Sequence, residues 1–413
     1  MSTTVLNRRP EPGASREPGD TAGDTTFDGV LAFGGVDWWY HNRGHYDLQL
    51  LRRMARHVPV VYVNSLGMRV PRAAEGSMFA RRVVRKAASL ARGAVEVEPG
   101  FTVVSPPALP GRAGECWNVR LLPRFLKRVL RRNGIRRPLI WTACPAALPV
   151  VEMLSPVGTV LQRTDRFEAF HGVDGGWIAG LIARAEERSN LTLFCNRSLH
   201  DQEASRCRHA AFVDHGVDEE RFVAAGEARR EPADLASIPH PRVGFVGGVD
   251  AHTFDAELFR AVAKRVPEAN FVLVGGRSLP EEAVAGANVV LLGRKPYAEV
   301  AEYMAACDVL IMPWNRNEWI AGCNPVKLKE YLAVGRPVVS TPFPELEAWR
   351  DVVTVADDAE AFAGALRAAL TAPHDPARGR RRVAGHTWES RLDQVLDSLH
   401  AVGLRPGARS PRR

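Results

Sequence analysis

The segment that reads N-P-V-K-L-K-E-Y-L-A-V-G opens with residues that are typical of a helix N-terminus. Asn324 suits the position just before a helix, Pro325 its first turn and Gly335 its end, so the sequence predicts a helix over residues 325–334. The unpaired N–H groups at the start of such a helix, together with its dipole, attract anions such as a pyrophosphate. Asn324, Pro325 and Val326 are therefore candidate contacts for a diphosphate.

Two charged side chains follow at helical spacing. Lys327 would stand in the first turn, where its ammonium can neutralise phosphate oxygens. Glu330 lies three residues further along the same face, and a carboxylate there can accept hydrogen bonds from both hydroxyls of a ribose. The spacing predicts a nucleotide site, and the alternative is a capped surface helix that carries an ordinary Lys–Glu pair.

A second polar and aromatic segment, D-W-W-Y-H-N-R-G-H, begins at Asp37, two residues after a Gly-Gly pair. Aromatic rings stack on sugar faces while polar side chains bind hydroxyl groups, so this loop is predicted to bind a saccharide. In the alternative interpretation, the tryptophans pack in the core and the histidines cap the next helix. The candidate acceptor residues are Gly35, Trp38, Trp39, His41, Asn42, Arg43 and His45.

Short apolar runs alternate with longer helical patterns along most of the chain, which is typical of α/β domains with parallel sheets. The predicted strands of the first half are residues 29–33, 59–63, 102–104, 139–142, 159–162 and 191–195. Those of the second half are residues 243–246, 270–274, 289–292, 309–312 and 337–340.

A polar segment with three prolines, residues 226–241, separates the two sets of strands and is predicted to link two domains. The chain ends are rich in Pro, Gly, Ser and Arg and are predicted to be disordered. The predicted divisions are a tail 1–26, a first domain 27–225, the linker 226–241, a second domain 242–385, a closing helix 386–403 and a basic tail 404–413.

The tetrapeptide G-G-V-D follows the first strand of each half. Glycines at the carboxyl edge of a parallel sheet allow tight turns and close approach of a ligand to the backbone. Gly247 and Gly248 are therefore candidate ligand contacts in the second half, and the alternative is an ordinary strand-to-helix turn.

The 413 residues are 46% hydrophobic and 25% charged, which excludes the fibrous and disordered classes of protein. The net charge is +8, and residues 41–150 hold 20 basic against 5 acidic residues, so an anionic partner is predicted for that region. Six scattered cysteines without metal-binding spacing indicate a reduced, cytoplasmic compartment. The sequence shows neither a signal-peptide pattern nor an apolar run long enough to span a bilayer.

The pattern N-P-x-K-x-x-E-Y-L-A-x-G-x-P-V-V resembles the nucleotide-sugar site of GT-B glycosyltransferases of the family 4 and family 1-like group. The likeness extends upstream through R-V-G-F-V-G-G-V-D and N-F-V-L-V-G-G and downstream to T-W-E-S-R-L-D-Q-V-L. It implies a GT-B α/β fold, with two Rossmann-like domains whose parallel sheets face each other across a cleft. The first domain would bind the acceptor and the second the nucleotide-sugar donor, with Glu330 on the ribose and Lys327 on the diphosphate.

The resemblance also implies that residues 293–297 border the base, and Arg294 or Lys295 would help to neutralise the leaving diphosphate. No D-x-D metal motif, P-loop or G-x-G-x-x-G occurs in the sequence, so no cofactor and no metal ion are predicted to be required. Two positions depart from the family pattern. Gly322 stands where an E-x7-E motif has its first glutamate, and residues 249–254 lack the usual Arg and Lys, which leaves retention or inversion open.

A transferase that inverts the anomeric centre needs a base for the acceptor hydroxyl. Asp165 follows a predicted strand in Q-R-T-D and is one candidate, although an aspartate there is often a helix cap. His41 is the second candidate, because the pKa of histidine is ordinarily closer to neutral.

Two helical patterns, residues 78–92 and 120–137, carry basic residues, no acidic residues and interleaved apolar ones. Such helices suit an anionic membrane surface. A solvated helix face is the alternative, and nucleic acid is not predicted because no nucleic-acid-binding motif accompanies the charge.

The sequence therefore predicts a glycosyltransferase that moves a sugar from a nucleoside diphosphate donor, UDP rather than GDP, to an acceptor hydroxyl. The expected acceptor is a lipid-linked saccharide or glycolipid, and the expected location is the cytoplasm or the inner face of the membrane. A transferase for a soluble natural product, a nucleotide-sugar 2-epimerase and a non-catalytic nucleotide-binding subunit are the alternatives.

Overall fold

A computed structural model describes residues 7–8, 25–40, 44–68, 77–170 and 172–407. The chain divides into two units. Unit 1 runs to Asp214 and resumes at Arg391, and unit 2 comprises His215–Ser390.

Unit 1 is built on a nine-stranded sheet. Its strands are β1 (Asn7–Arg8), β3 (Gly29–Phe33), β4 (Val60–Val63), β5 (Ala94–Glu98), β6 (Phe101–Val104), β7 (Pro138–Thr142), β8 (Gly158–Arg163), β9 (Leu191–Phe194) and β10 (His209–Phe212). They lie in the order β1-β10-β9-β8-β7-β3-β4-β6-β5. The strands pair in parallel except at the two edges, where β1 and β5 run antiparallel to their neighbours.

The helices of unit 1 connect these strands in a parallel α/β arrangement. They are α1 (Tyr46–Met54), α2 (Ser77–Ala91), α3 (Glu115–Arg132), α4 (Leu148–Val151), α5 (Gly175–Arg188) and α6 (Arg197–Glu203). Leu122, Leu126 and Leu130 of α3 pack with Leu31 and Ile140 of the central strands, so one face of α3 belongs to the core.

A two-stranded parallel sheet joins β2 (Thr25–Phe27) to β17 (Leu404–Pro406) in unit 1. The prediction that residues 1–26 and 404–413 are disordered was therefore wrong for these positions, because each segment provides the other with backbone partners. Most of the two predicted tails, residues 1–6, 9–24 and 408–413, lies outside the described residues.

Unit 2 contains a six-stranded sheet in which all strands are parallel. Its strands are β11 (Arg242–Val246), β12 (Asn270–Val274), β13 (Val289–Gly293), β14 (Val309–Met312), β15 (Val338–Ser340) and β16 (Thr354–Val355). The order β13-β12-β11-β14-β15-β16 reverses direction between β11 and β14. In open parallel sheets a crevice forms outside the carboxyl ends of the strands at such a reversal.

The helices of unit 2 cover both faces of this sheet. They are α7 (Glu219–Ala228), α8 (Ala256–Arg265), α9 (Val300–Ala305), α10 (Glu318–Ala321), α11 (Val326–Val334), α12 (Ala359–Thr371) and α13 (Pro376–Val383). Phe245 of β11 faces one core cluster and Val246 the other. Strands that are buried on both faces read as continuous apolar runs, which is why the sequence revealed them.

All eleven predicted strands are present, with ends shifted by at most one residue. Among the described residues, the six strands that were missed are β1, β2, β5, β10, β16 and β17. β5 is an edge strand with partly exposed residues, so its composition carries no apolar run.

The predicted domain boundary differs from the observed one. The units divide at Asp214, and the predicted linker 226–241 lies within unit 2. There the guanidinium of Arg242 donates to the carbonyl oxygens of Leu235 and Ile238, which holds this polar segment on the sheet. The last helix, α14 (Trp388–Ala401), begins in unit 2 and continues into unit 1.

In the part of the chain that the structure describes, no helix combines the length and the apolar composition needed to cross a bilayer. All six cysteines are free thiols.

Candidate functional site

Two glycine pairs lie together at the carboxyl ends of β11 and β12. The N–H of Gly247 donates to the carbonyl of Val274 at 2.8 Å, and the N–H of Val249 donates to that of Gly276 at 2.9 Å. A Cβ on Gly275, whose φ is +154°, would lie 1.7 Å from the carbonyl oxygen of Gly247, so only glycine fits there. The close packing of these loops fixes the position of Gly247 at the crevice of the sheet.

Lys327 of α11 extends to this glycine. A Cβ on Gly247 would lie 2.3 Å from Nζ of Lys327, so the missing side chain makes room for the ammonium. The same nitrogen lies 4.7 Å from the centre of the Phe245 ring and 5.4 Å from that of Trp314. The ring faces stabilise the cation without neutralising it. Gly247 and Lys327, two of the residues predicted to bind the nucleotide-sugar donor, thus lie in contact.

The ammonium of Lys327 is not neutralised by a nearby carboxylate. Burial lowers the pKa of Lys327 to about 8, and the carboxylates of Glu330 and Asp250 only partly oppose this effect. Within the described residues it forms no ion pair. The ordinary Lys–Glu surface pair that was the alternative interpretation is therefore not formed, and a bound anion would raise the pKa of Lys327 again by stabilising its charged form.

Helix α11 begins beside this lysine. Pro325 occupies the N-cap position, one residue later than predicted for the cap, and it makes no side-chain hydrogen bond to the helix. Asn324, predicted as the cap, is buried directly before it. Proline has no side-chain oxygen to accept from the first N–H groups, so Pro325 itself does not occupy these donors, and the helix dipole at this end favours an anion. Gly335 ends the helix with a φ of +79°, as predicted.

Glu330 lies on α11 and is only 5% exposed. The Tyr297 hydroxyl donates to its Oε1 at 2.8 Å, and no described residue donates to Oε2. Burial raises the pKa of Glu330, while the Tyr297 hydrogen bond and the charges of Arg221 and Lys327 oppose the rise. One carboxylate oxygen therefore remains to accept hydrogen bonds from hydroxyls such as those of a ribose.

Two residues that support Glu330 were not selected from the sequence. The guanidinium of Arg221, on α7, lies 4.4 Å from the ring centre of Tyr297 and pairs with Asp218 at 3.3 Å. Tyr297 is the last residue of segment 293–297, which was expected to border the base. Its place in that segment was the sequence feature that could have identified it. Nothing in the local pattern of α7 marks Arg221.

The other predicted donor residues have different surroundings. A Cβ on Gly276 would lie 3.0 Å from Nη2 of Arg294, which places that guanidinium at the glycine loops. Gly248 lies beside the carboxylate of Asp250. The ammonium of Lys295 is bound instead to Asp234 at 2.5 Å. Lys295 therefore already has an anionic partner, in contrast to Lys327.

The candidate acceptor loop of unit 1 follows β3. The N–H of Gly35 donates to Oδ2 of Asp47 at 2.9 Å, and the hydroxyl of Tyr62 donates to the same oxygen at 3.0 Å. A Cβ on Gly34 would overlap the Tyr62 ring, so the first glycine is needed for packing. This turn is thereby fixed on α1 and β4.

The aromatic residues of that loop divide between core and surface. Trp38 is only 3% exposed and packs on Phe101 at 5.3 Å between ring centres, so the prediction that it stacks on a sugar is corrected to core packing. Trp39 is partly exposed, with the guanidinium of Arg92 at 4.4 Å from its ring. His45 is exposed at the N-cap of α1 but makes no capping hydrogen bond. The predicted residues His41, Asn42 and Arg43 lie outside the described residues.

Asp165 lies two residues beyond β8 and is partly buried. Its backbone oxygen accepts from the buried guanidinium of Arg163, which also pairs with Glu168 at 2.9 Å and Glu203 at 2.8 Å. A buried cation between two carboxylates is rigidly oriented. Arg163, another residue that sequence reasoning missed, therefore holds the backbone at Asp165.

In the ranges that the structure describes, no group of three or more His, Cys, Asp and Glu side chains is arranged to hold a metal ion. Independence from metal ions stays a prediction.

Comparison with known proteins agrees with this geometry. Residues 210–372, which contain the glycine loops, Lys327 and Glu330, match the family model for "Glycosyl transferases group 1". The matched segment is less than half of the chain and lies mostly in unit 2. A relative from Bacillus subtilis (strain 168), described as the teichuronic acid biosynthesis glycosyltransferase TuaH, is 31% identical over 137 residues. That match covers 32% of this chain and 34% of the relative, about a third of its length.

Solved glycosyltransferase structures match nearly the whole of this chain. Sucrose-phosphate synthase from Thermosynechococcus elongatus has a TM-score of 0.67 at 18% identity, covering 91% of this chain and 99% of that one. Anabaena HepE in complex with UDP and glucose has a TM-score of 0.63 at 13% identity, covering 91% and 100%. These likenesses show the fold, which is GT-B as predicted. The matched family model and the matched structures are all of glycosyltransferases.

Proposed function

We propose that this glycosyltransferase moves a sugar from a nucleoside diphosphate sugar, with UDP preferred over GDP, to a hydroxyl group of a lipid-linked saccharide. The product would belong to a surface polysaccharide or glycolipid. The observation that carries the proposal is the Lys327 ammonium, which lies against Gly247 and has no carboxylate partner in the described part of the chain. The similarity to TuaH, which is described as a teichuronic acid biosynthesis glycosyltransferase, supports a polysaccharide acceptor, and HepE was solved with UDP and glucose.

In the proposed reaction, an acceptor oxygen attacks the anomeric carbon and the bond from that carbon to the diphosphate breaks. The nucleoside diphosphate leaves with the electron pair, and Lys327, the start of α11 and Arg294 stabilise its charge. Asp165 or His41 takes the hydroxyl proton. No metal ion has a required role in this scheme, so activity should persist in excess EDTA.

The outer face of α3 supports attachment to an anionic membrane surface. Trp117 and Leu121 are 50% and 40% exposed at its start, and Leu109, held by backbone hydrogen bonds to Asn118, is 49% exposed beside them. In the described residues, none of the cations along the same face has an ion pair. These cations are Arg120, Arg124, Lys127, Arg128 and Arg131.

Apolar anchors beside unpaired cations are typical of helices that lie in the headgroup region. Helix α2 shows a similar character, since Val83 and Val84 are 49% and 66% exposed. These exposed residues support the proposal that the protein acts at the inner face of the cytoplasmic membrane, where a lipid-linked acceptor would be present.

The donor is tested by calorimetric titration of UDP, GDP and their sugars, followed by an assay for product on a lipid-linked saccharide. We expect UDP to bind more tightly than GDP and the sugar to appear on the acceptor. Release of UDP without any glycosylated product would contradict transfer and leave hydrolysis or a binding role.

The membrane contact is tested by flotation with liposomes that contain phosphatidylglycerol. The double variant Arg124→Glu/Arg128→Glu should lose flotation, since it reverses two charges on α3. Arg260→Glu/Lys264→Glu, on exposed positions of α8, makes the same change in charge and should float as the wild type does. Equal flotation of both variants would argue against α3 as the contact.

A further inference from the structure

Unit 1 contains a cavity of about 450 Å³ that the transferase scheme does not use. It lies beneath the C-terminal half of α3, where six apolar side chains line it, among them Leu130, Ile135 and Leu154. Lys127, Arg131, Arg136 and Ser155 complete the lining, and no acidic residue contributes. The volume is within the range of small-molecule sites, and the lining combines an apolar interior with three cations.

The cavity is remote from the candidate acceptor loop within the same unit. Ile135 and Arg136 precede β7, and Pro138 is its first residue, so the cavity lies towards the amino ends of the parallel strands. The Gly34–Gly35 turn follows β3 at the carboxyl edge. A ligand in the cavity would therefore occupy a different place from a saccharide bound at that turn.

The three cations are available to a ligand head group. In the described residues, none of the three side chains has a carboxylate partner. Asp28 is the nearby acid, and it accepts instead from the backbone N–H groups of Arg136 and Arg137 at 2.8 to 3.1 Å. The interior would bind hydrocarbon, and the cations would bind an anion.

We propose that this cavity binds one lipid that joins a hydrocarbon chain to a phosphate head, with the chain among Leu130, Ile135 and Leu154 and the phosphate on Lys127, Arg131 and Arg136. The same chemistry occurs in anionic phospholipids and in isoprenoid phosphates. The inference deepens the proposed membrane contact on α3, on which it rests for the source of the lipid, but it does not depend on catalysis.

Binding is tested on the full chain without any sugar donor, so that the outcome is independent of transferase activity. The probes are dihexanoyl phosphatidylglycerol, dihexanoyl phosphatidylcholine, geranyl phosphate and geraniol, each titrated below its micelle concentration. We expect at least one anionic lipid to bind about tenfold or more tightly than its uncharged or zwitterionic counterpart. The anionic probe that binds more tightly shows whether the lipid is a phospholipid or an isoprenoid phosphate. Equal binding of anionic and neutral probes would overturn the proposal.

Two charge variants on one helix separate this site from the membrane face. Lys127→Glu/Arg131→Glu changes two cations of the cavity and should weaken binding of the anionic probe by about tenfold or more. Arg124→Glu/Arg128→Glu makes the same change on α3 outside the cavity lining and should leave the soluble probe's affinity within about twofold. Equal loss in both variants would show a general charge effect and reject the cavity.

The chain subsite is tested by Ser155→Trp, which places a large ring in the cavity lining from an exposed position. We expect the variant to lose binding of the anionic probe while its melting temperature stays near the wild-type value. If this variant does not fold, the position of the lipid chain is tested by photo-crosslinking. The wild type is then reacted with a phosphatidylglycerol that carries a photoreactive chain. Labelling of residues 127–140 and 154–155 is expected, and labelling confined to other segments would overturn the assignment.

Discussion

The Tyr297 hydroxyl donates a 2.8 Å hydrogen bond to Oε1 of Glu330, whose side chain is otherwise buried. Burial alone raises the pKa of Glu330, and the hydroxyl stabilises the charged form against it. The pair keeps a carboxylate at the crevice of unit 2 with its second oxygen open. A charged acceptor at this position suits the hydroxyls of a ribose.

Tyr297→Phe should weaken UDP binding by about tenfold, which corresponds to a loss of about 1.4 kcal/mol. Without its donor, the pKa of Glu330 should rise further, so the loss should grow as pH falls. Titration calorimetry at several pH values measures this. Tyr303→Phe is the control, because Tyr303 donates to Asp234 instead, and equal effects in both variants would refute the role of Tyr297.

UDP affinity should decline above pH 8, because the pKa of Lys327 is lowered to about 8 and the ammonium loses its proton there. Below that pH the lysine is charged and can pair with phosphate oxygens. Lys327→Met should bind UDP weakly with little pH dependence between 7 and 9. Lys264→Met, an exposed lysine of α8, should retain the wild-type profile in the same calorimetric series, and a flat wild-type profile would contradict the assignment.

Lys327→Met should also raise the melting temperature of the nucleotide-free protein at pH 7. The pKa of Lys327 in the folded protein lies below the ordinary value of 10.5. At pH 7 folding therefore buries a charged ammonium, which lowers the free energy of unfolding. As pH rises above 8, the folded protein releases this proton before the unfolded chain does, and the wild type gains stability relative to the variant. Calorimetric scans from pH 7 to 10 should show that the difference in melting temperature between Lys327→Met and the wild type becomes smaller. A variant that melts lower at pH 7 would exclude a desolvated cation.

Gly247→Ala should weaken UDP binding by about tenfold or more, because its Cβ would lie 2.3 Å from Nζ of Lys327 and displace the ammonium. Gly364→Ala on α12 is the matched control, since no atom lies within 4 Å of its Cβ position. Both variants should fold, and UDP titration should distinguish them. Unchanged affinity in Gly247→Ala would separate this glycine from the donor site.

Asp165→Asn should lower kcat by about 100-fold or more if Asp165 is the base, with little change in donor KM. The amide keeps the size of the side chain but cannot accept the proton. Steady-state kinetics of Asp165→Asn and His41→Gln, measured in parallel, identify the base by the larger loss in kcat. Wild-type kcat in Asp165→Asn would remove it from that role.

The order of strands and helices was accessible from the sequence because its signals are local. Apolar runs marked the buried strands of both units, and the Asn-Pro start and Gly335 end marked α11 to within one residue. Residues 324–330 could be predicted as contacts for a diphosphate and a ribose because helix geometry brings neighbours three apart onto one face, and the resemblance to GT-B glycosyltransferases favoured that prediction. The edge strands and the boundary at Asp214 lacked such a signal.

Contacts between distant residues were decided by the tertiary structure. Tyr297 meets Glu330 across 33 residues, and Gly247 meets Lys327 because the order of the sheet places β11 beside β14. Trp38 is buried because it packs against Phe101 of β6, although its loop composition favoured the surface. Composition and spacing determined which groups could do chemistry. The burial of a side chain and its contacts depend on which chain segments pack together. Only the tertiary structure therefore decided which of these side chains lie in contact.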